Sequence, residues 1–241
     1  MAARCVKFGV ELDAGPNVFV CPRWINARRI NRTTGGWLLH SSTCYLIDTG
    51  LVWGLLELWN GTDATIADVG AGVGCYTHAL RHAGLSVIAA YDAAPNIERI
   101  TRGVVVEWDA TQPLPLPHPP DWMLSLEVAE HVPRDGTQAF VRNLAAARCG
   151  AVVSWAPPGQ RGKGHVNGHT PHAVAGLFRS FDMHLDHNRT QLLRSGAGFP
   201  WFKSNVMLFR HAHTPWRACD VPVWTPQLPP PQLRLQALWG V

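Results

Sequence analysis

The feature that most limits the fold of this chain is a regular alternation of short apolar runs with amphipathic segments between about residues 64 and 210. Apolar runs that alternate with helical patterns are typical of a mostly parallel sheet covered by helices on both faces. Strands are predicted at 65–69, 86–91, 104–108, 122–126 and 151–155. The intervening segments, such as CYTHALRHAG and GTQAFVRNLAAARCG, have the apolar spacing and closing glycine of helices.

Two further strands are predicted near the end of this region, in MHLDHNRTQLLRSGAG and SNVMLFRHA. A short turn through Gly196 to Pro200 would join them as an antiparallel hairpin at the sheet edge. We therefore expect a single α/β domain whose doubly wound, seven-stranded sheet is mostly parallel. Its core is expected to span residues 61–211.

The two ends of the chain differ from this core in composition. Residues 1–60 include the apolar, Trp-rich stretch CYLIDTGLVWGLLELWNG, which predicts an N-terminal helical lid or cap over the sheet's open edge. Residues 212–241 contain the run Pro229 to Pro231 and several other prolines, so they predict an extended, Pro-rich C-terminal tail rather than a helix.

Composition and charge limit the class of protein. Charged residues make up only 16% of the chain, and the formal charge of +4 comes without a basic block, so a nucleic-acid partner is not expected. The six cysteines form no CxxC pair, which predicts reduced thiols in an intracellular protein. No apolar run approaches the length of a membrane span, and we expect a cytoplasmic protein. Organelle targeting by a longer parent chain stays open.

The predicted first strand runs into a glycine-rich loop, ADVGAGVGCYTHAL, in which Gly70, Gly72 and Gly74 follow Asp68. Glycines are needed where a loop turns sharply and its backbone approaches a ligand. The spacing is G-x-G-x-G rather than the dinucleotide pattern G-x-G-x-x-G, which disfavours an NAD-dependent oxidoreductase. A second acid, Asp92, ends the next predicted strand, where one carboxylate can accept both ribose hydroxyls of a cofactor. The alternative for both acids is a helix cap or a turn.

With this loop and these acids, residues 60 to 210 resemble the class I S-adenosylmethionine-dependent methyltransferases of the type 11-like, small-molecule kind. The resemblance implies a Rossmann-like fold, S-adenosylmethionine as cofactor and S-adenosylhomocysteine as product. It also implies that Asp92 binds the ribose and that Asp109 reaches the adenine, although Asp109 precedes a Pro-rich loop and its alternative role is to form a turn. The residues implied to bind the cofactor are Asp68, Gly70, Ala71, Gly72, Gly74, Asp92, Ala93, Asp109, Ala110 and Glu127.

A cluster of polar residues, EVAEH, follows the predicted fourth strand and contains Glu127, Glu130 and His131. A helical turn would bring these three onto one face, at the strand end where doubly wound folds bind ligands. The loop after the predicted fifth strand, SWAPPGQRGKGHVNGHTPH, adds His165 and His169. Methyl transfer to a protonated nucleophile needs a proton acceptor. The predicted catalytic residues are therefore the three histidines together with Glu127.

The EVAEH string is similar to a motif of ubiquinone-pathway O-methyltransferases and of the enzymes that methylate the 3′ ends of small RNAs. This resemblance implies an optional divalent metal held by Glu127, Glu130, His131 and a later histidine such as His165. Such a metal would lower the pKa of an attacking hydroxyl. The reading we favour uses no metal: Glu127 covers the cofactor, Glu130 is an acid at a helix start, and His131 is a base or a packing residue.

The sequence as a whole predicts an enzyme that transfers a methyl group from S-adenosylmethionine to an oxygen, sulfur or nitrogen atom of a small molecule. Two alternatives stay open: a metal-assisted methyltransferase acting on 2′-O or catechol-type hydroxyls, and a non-catalytic cofactor-binding partner module. An acidic substrate could be bound by nearby cations, and an apolar or cationic one by an aromatic wall. These candidates are Arg28, Arg29, Arg32, Arg161 and Lys163, and Trp155, Phe199 and Trp201.

Overall fold

The predicted sheet is present in the computed structural model of the chain, which describes residues 5–7, 10–12, 18–21, 25–41, 45–59, 61–212 and 219. Its seven strands are β1 (Thr65–Val69), β2 (Ser86–Asp92), β3 (Val106–Glu107), β4 (Trp122–Ser125), β5 (Gly150–Ser154), β6 (Met183–Leu185) and β7 (Val206–His211). Across the sheet they lie in the order β3-β2-β1-β4-β5-β7-β6. The expectation of a doubly wound, mostly parallel sheet is confirmed.

The parallel strands align their carboxyl ends at one edge of the sheet. Leu124 of β4 lies opposite Asp68 of β1 on one side and Val152 of β5 on the other. Strand β7 runs antiparallel to both β5 and β6. Because the loops after β1, β2, β4 and β5 all leave from the same edge, the side chains they carry are brought together there.

Seven helices of the described residues accompany the sheet: α1 (Thr49–Trp59), α2 (Cys75–His82), α3 (Ile97–Thr101), α4 (Thr137–Leu144), α5 (Pro171–Arg179), α6 (His187–Gly196) and α7 (Phe202–Asn205). Two apolar cores result. One contains side chains of α1, α2 and α6, including Trp59 and Leu193. The other contains side chains of α4 and α5, including Phe140 and Phe178. None of the described helices has the length and apolar character needed to cross a membrane.

The connection between β6 and β7 differs from the prediction. The two strands do form an antiparallel pair at the sheet edge, but a short turn does not join them, because residues 187–196 form helix α6. Asp186 explains the difference: its carboxylate accepts a hydrogen bond from the amide of Arg189 and pairs with the Arg189 guanidinium. Asp186 is therefore a helix N-cap. It favours a helix over residues 187–196, where the apolar pattern had been interpreted as part of a strand.

The N-terminal segment also differs from the predicted helical cap. Its only helix among the described residues is α1, and the chain before α1 forms three short antiparallel ribbons. These pair Cys5–Lys7 with Val10–Leu12, Val18–Cys21 with Tyr45–Asp48, and Ile25–Ile30 with Trp37–Ser41. Runs such as VFVC are rich in residues that favour strands, and a Gly-Gly pair favours a hairpin turn.

A disulfide bond joins Cys149, at the start of β5, to Cys219. The prediction of reduced thiols is therefore wrong for this pair. The two residues are 70 positions apart and carry no sequence signature of pairing, yet the fold brings their Cα atoms to 5.5 Å, within the normal range for a disulfide. Apart from Ala212 and Cys219, the predicted Pro-rich tail lies outside the described residues.

Candidate active site

The glycine loop between β1 and α2 is fixed to the end of β2. The amides of Gly70 and Ala71 both donate to the carbonyl of Tyr91, at 2.7 and 2.8 Å. Gly70, Gly72 and Gly74 all have positive φ, at 79°, 56° and 78°, a conformation that glycine adopts without steric cost. A Cβ at Gly70 would also collide with the side chain of Val128. The glycines are therefore required by both the backbone and the packing.

The two predicted cofactor acids lie beside this loop. Asp92 accepts hydrogen bonds from the amides of Gly72 and Ala94, both at 2.8 Å, through different carboxylate oxygens. Asp68 accepts a 2.6 Å hydrogen bond from the hydroxyl of Thr77. Burial raises the pKa of Asp92, and burial, only partly offset by the Thr77 hydrogen bond, raises the pKa of Asp68 to about 6. Asp92 thus holds the loop at Gly72, and Asp68 holds the first turn of α2 through Thr77.

Asp109 has a more local environment. Its carboxylate accepts hydrogen bonds from both the amide and the hydroxyl of Thr111, at 2.9 and 2.8 Å. This is the turn-forming arrangement that was the alternative to adenine binding. The carbonyl of Ala110, the next residue, accepts a hydrogen bond from the side chain of Asn143 on α4. The second oxygen of Asp109 makes none of the hydrogen bonds recorded among the described residues.

The EVAEH segment is a turn and not the helical turn that was predicted. The amide of His131 donates to the carbonyl of Val128, and helical structure resumes only with a short 3-10 helix at Arg134–Gly136 and with α4. Glu127 has a positive φ of 59°, which is uncommon for a non-glycine residue and interrupts a helix. The Ser154 hydroxyl at the end of β5 holds Glu127 in place, because it accepts from the Glu127 amide and donates to its carboxylate. Glu130 is consequently not a helix-start acid.

Glu130, His131 and His165 form a compact group in which one ligand atom from each lies within 4.8 Å of the others. The distance between His165 Nε2 and Glu130 Oε1 is 3.9 Å. Glu130 is fully buried, and neither of its carboxylate oxygens makes a hydrogen bond of good geometry among the described residues, although the backbone amides of Glu130 and Ala156 lie near enough to oppose part of the rise in its pKa. Of the predicted metal ligands, Glu127 lies outside this group. The group forms because the loop after β5 folds back over the turn after β4.

Burial sets the protonation of this group. It raises the pKa of Glu130 to about 8, and the nearby charge of Glu127 adds to this effect. Burial lowers the pKa of His131 to about 4, although the hydrogen bond to the Gly164 carbonyl acts in the opposite direction. Burial also lowers the pKa of His165. At neutral pH, therefore, Glu130 is mostly protonated and both imidazoles are neutral.

The hydrogen bonds of the two imidazoles determine which nitrogen is free to act. Nδ1 of His131 lies 3.1 Å from the Gly164 carbonyl, and Nδ1 of His165 lies 3.2 Å from the Gln160 carbonyl. Because a carbonyl only accepts, each Nδ1 must carry the proton, and Nε2 must present a lone pair. Carbonyl groups that fix an imidazole in this way are common around metal-binding and catalytic histidines.

His169, the third predicted catalytic histidine, lies outside this group. Its Nε2 is 3.1 Å from the side-chain oxygen of Asn167, and its ring packs edge-on against buried Trp155. Asn167 is itself buried and donates to the hydroxyl of Thr137. His169 therefore packs within the loop after β5 and helps to hold that loop against the core. Trp155 is a core residue here and not part of an aromatic wall.

Comparisons with known proteins agree on the fold. No protein-family model matches the sequence, and no curated protein matches it. The magnesium protoporphyrin IX methyltransferase of Synechocystis PCC 6803, solved with S-adenosylmethionine, is similar with a TM-score of 0.51 at 15% identity, over 67% of this chain and 76% of that chain. A TehB-like S-adenosylmethionine-dependent methyltransferase from Corynebacterium glutamicum is similar with a TM-score of 0.51 at 16% identity, over 67% of this chain and 86% of that chain. This chain has the class I methyltransferase fold.

The cationic and aromatic residues predicted to contact a substrate do not form one group in the structure. Arg161 and Lys163 are exposed on the loop that carries His165, and Arg32 is exposed in the N-terminal hairpin turn. The side chains of Arg28 and Arg29 are outside the described part of the chain. Trp201 is 37% exposed and stacks on Phe199, with ring centroids 4.5 Å apart, beside α7. These two residues therefore belong to a cluster separate from Trp155.

Sequence reasoning missed one part of the candidate site, the hairpin turn of residues 31–37. Gly35 and Gly36 are buried in it, and the ring of Trp37 packs edge-on against His131 with centroids 5.5 Å apart. The turn signal TTGGW was visible in the sequence. The position of this turn could not be predicted, because nothing local in the sequence connects residue 35 with residue 131. The turn lies over the region between the glycine loop and the group of Glu130, His131 and His165, which we call the cleft.

Proposed function

We propose that the chain is an enzyme that transfers the methyl group of S-adenosylmethionine to a small-molecule acceptor. The observation that carries the proposal is the glycine loop fixed on the end of β2, with Asp92 beneath it, at the carboxyl edge of a methyltransferase-type sheet. The two structures compared above are named as methyltransferases, and one contains the cofactor. Asp92 would accept the ribose hydroxyls, and the glycine backbone would leave room for the methionine part.

In this reaction the acceptor atom attacks the methyl carbon from the side opposite sulfur. The bond between that carbon and the acceptor forms while the carbon–sulfur bond breaks, and the sulfur keeps the electron pair, which releases S-adenosylhomocysteine. The cofactor is already activated, so positioning provides most of the rate. Nε2 of His131 or His165 would take the acceptor's proton, where it has one, because both imidazoles are neutral at physiological pH.

Calorimetric titration with S-adenosylhomocysteine and with NAD tests this proposal. Binding of the first at micromolar concentration, without binding of NAD, is expected. Methyl transfer from labelled S-adenosylmethionine to a panel of small acids, thioethers, amines and catechols then distinguishes an enzyme from a non-catalytic partner module. A protein that fails to bind S-adenosylhomocysteine would contradict the proposed function.

A second candidate function is metal-assisted methylation of a hydroxyl. The specific observation in its favour is Glu130, whose two buried oxygens make no hydrogen bond of good geometry among the described residues and lie beside the imidazoles of His131 and His165. An unpaired buried carboxyl is unfavourable, and a divalent cation would satisfy it. The residues present fit Mn²⁺, Fe²⁺ or Zn²⁺, which accept mixed oxygen and nitrogen ligands. When bound, the metal would lower the pKa of the acceptor hydroxyl.

Binding of Mn²⁺ or Zn²⁺ to metal-stripped protein tests this second function. One equivalent is expected to bind the wild type, and Glu130→Gln or His165→Gln should weaken binding by about tenfold or more. His169→Gln is the matched control, because His169 lies outside the group, and its effect should be small. If the wild type binds no metal stoichiometrically, or if His169→Gln weakens binding as much as His165→Gln, the metal-assisted function is wrong.

A further inference from the structure

The turn of the N-terminal hairpin, residues 31–37, lies against both halves of the cleft. A Cβ at Gly36 would collide with the backbone carbonyl of Ala93, the residue after Asp92 on the cofactor side. A Cβ at Gly35 would collide with the backbone carbonyl of His131 on the side of the imidazole group. Both contacts are to backbone atoms, which do not move aside easily. Only glycines allow the turn to sit this close to both walls.

Internal hydrogen bonds make this turn a rigid unit. The Asn31 amide donates to the Gly36 carbonyl and the Gly35 amide donates to the Asn31 carbonyl, each at 2.8 Å. The side chain of Asn31 also accepts from the amide of Thr33 at 2.9 Å. Because these bonds close the turn on itself, the segment is expected to move as one piece when it leaves the cleft.

Trp37, the last residue of the turn, covers the His131 ring. His131 is only 8% exposed, with Trp37 on one side and the His165 ring, 5.1 Å away, on another. The ammonium of Lys163 lies 5.7 Å from the centre of the Trp37 ring, a distance typical of a cation–π contact. Trp37 is thus fixed between the loop after β5 and the imidazole it shields.

We propose, on the basis of the function proposed above, that residues 31–37 are a positioning element that encloses the bound cofactor beside Ala93 and fixes the His131 ring through Trp37. One element then controls both halves of the site. The cofactor can enter or leave only when the turn moves away, and the same movement exposes His131 to water. This assigns to a β-hairpin the covering role that the sequence had suggested for a helical cap.

Variants of Gly36 test the cofactor side of this proposal. Gly36→Ala is expected to raise the dissociation rate of S-adenosylhomocysteine about tenfold or more, since the added methyl forces the turn off Ala93. Gly176→Ala is the matched control, because a Cβ at Gly176 meets nothing within 4 Å. Saturating S-adenosylhomocysteine should also protect the exposed Arg32–Thr33 bond from trypsin more strongly than the bond after Arg179.

Variants of Trp37 test the imidazole side. In Trp37→Ala the buried His131 ring should react several-fold faster with diethyl pyrocarbonate, followed by mass spectrometry of the His131 peptide, and Trp37→Phe should restore the slow reaction. A purely structural role for Trp37 would reduce the melting temperature without changing the reactivity of His131 relative to that of exposed His184.

The outcomes separate this inference from the proposed function. If wild-type protein does not bind S-adenosylhomocysteine, the proposed function and the inference are both overturned. If it binds, but Gly36→Ala leaves the dissociation rate unchanged, Arg32 is not protected and Trp37→Ala leaves the reactivity of His131 unchanged, the inference alone is wrong.

Discussion

The two halves of the cleft differ in how well their buried carboxyl groups are satisfied. In the cofactor half, Asp92 accepts two backbone hydrogen bonds and Asp68 accepts one from Thr77. In the other half, Glu130 is more deeply buried than Asp92 but its carboxylate makes no hydrogen bond of good geometry among the described residues. The first half is therefore complete before a ligand binds, whereas the second retains a group that only a ligand or a proton can stabilise.

The largest expected effect is a loss of S-adenosylhomocysteine affinity that occurs on substitution in the first half and not in the second. Asp92→Ala should weaken S-adenosylhomocysteine binding by about 100-fold or more, because in the proposed function two ribose hydroxyls would lose a charged acceptor and the loop loses its contact at Gly72. Glu130→Gln should change the same affinity by no more than about twofold if the halves bind independently. Calorimetry measures both values. Equal losses in the two variants would show that the comparison is wrong and that the halves form one coupled site.

The second prediction concerns stabilisation by metal. Mn²⁺ or Zn²⁺ at about 100 times its dissociation constant should stabilise the wild type by about 3 kcal/mol, which corresponds to a rise of roughly 5 to 10 °C in melting temperature for a chain of this size. Glu130→Gln should lose most of this rise, whereas Asp92→Asn should keep it. Thermal unfolding with metal and with chelator provides the measurement, and an equal rise in wild type and Glu130→Gln would place the metal elsewhere.

The third prediction concerns pH. The pKa of Glu130 is raised from 4.5 to about 8 in the folded protein, so its stabilising contribution is complete below pH 4.5 and is lost as the pH rises toward 8. Between pH 6.5 and 8, where His131 is neutral in both the folded and the unfolded chain, metal-free wild type should therefore lose roughly 1 kcal/mol of stability per pH unit. Glu130→Gln should show a flatter profile, apart from the smaller loss from Asp68, whose pKa is about 6.

The acid side of the same profile depends on His131. Its pKa is lowered from 6.5 to about 4, so its contribution is present above pH 6.5 and is lost as the pH falls toward 4. Between pH 4.5 and 6.5 this gain opposes the loss from Glu130, so His131→Gln should make stability fall with rising pH there and leave the alkaline side unchanged. Denaturant unfolding at several pH values in the presence of chelator measures both sides. Profiles that are identical in wild type and both variants would contradict the assigned burial.

The smallest expected effect is at Asp109. Its carboxylate is engaged with Thr111, so Asp109→Ala should reduce stability by about 1 kcal/mol through loss of a turn hydrogen bond. Its effect on S-adenosylhomocysteine affinity should be less than about tenfold. A loss comparable with that of Asp92→Ala would instead support the adenine-binding role that the family resemblance implies.

The sequence predicted those parts of the molecule in which neighbouring residues determine the structure. The strand, glycine loop and acid of the cofactor half are close together in the chain, and each residue type has a local reason to be there. The predicted bounds of β1 agree with the structure. Local signals failed where two were in competition, as at residues 187–196, where a capping aspartate decided in favour of a helix.

The group around Glu130 could be predicted only in part. Glu127, Glu130 and His131 were identified as site residues, but a helix was expected where a left-handed residue makes a turn. The contribution of His165 and not His169 depends on how the 16 residues between β5 and α5 fold. The contact of Trp37 with His131 crosses 94 positions of sequence. Such long-range contacts depend on the packing of the whole domain, which residue spacing does not encode.

The disulfide between Cys149 and Cys219 closes a covalent ring of about 70 residues. Inside that ring are β5, the loop that carries His165, and the antiparallel strands β6 and β7. Once formed, the bond reduces the conformational entropy of the unfolded chain by an amount worth about 4 kcal/mol. The half of the cleft that contains Glu130 is thus partly built from a segment that the disulfide closes into a ring. By lowering the entropy of the unfolded chain, the disulfide raises the free energy of unfolding and offsets part of the destabilisation that burial of Glu130 causes.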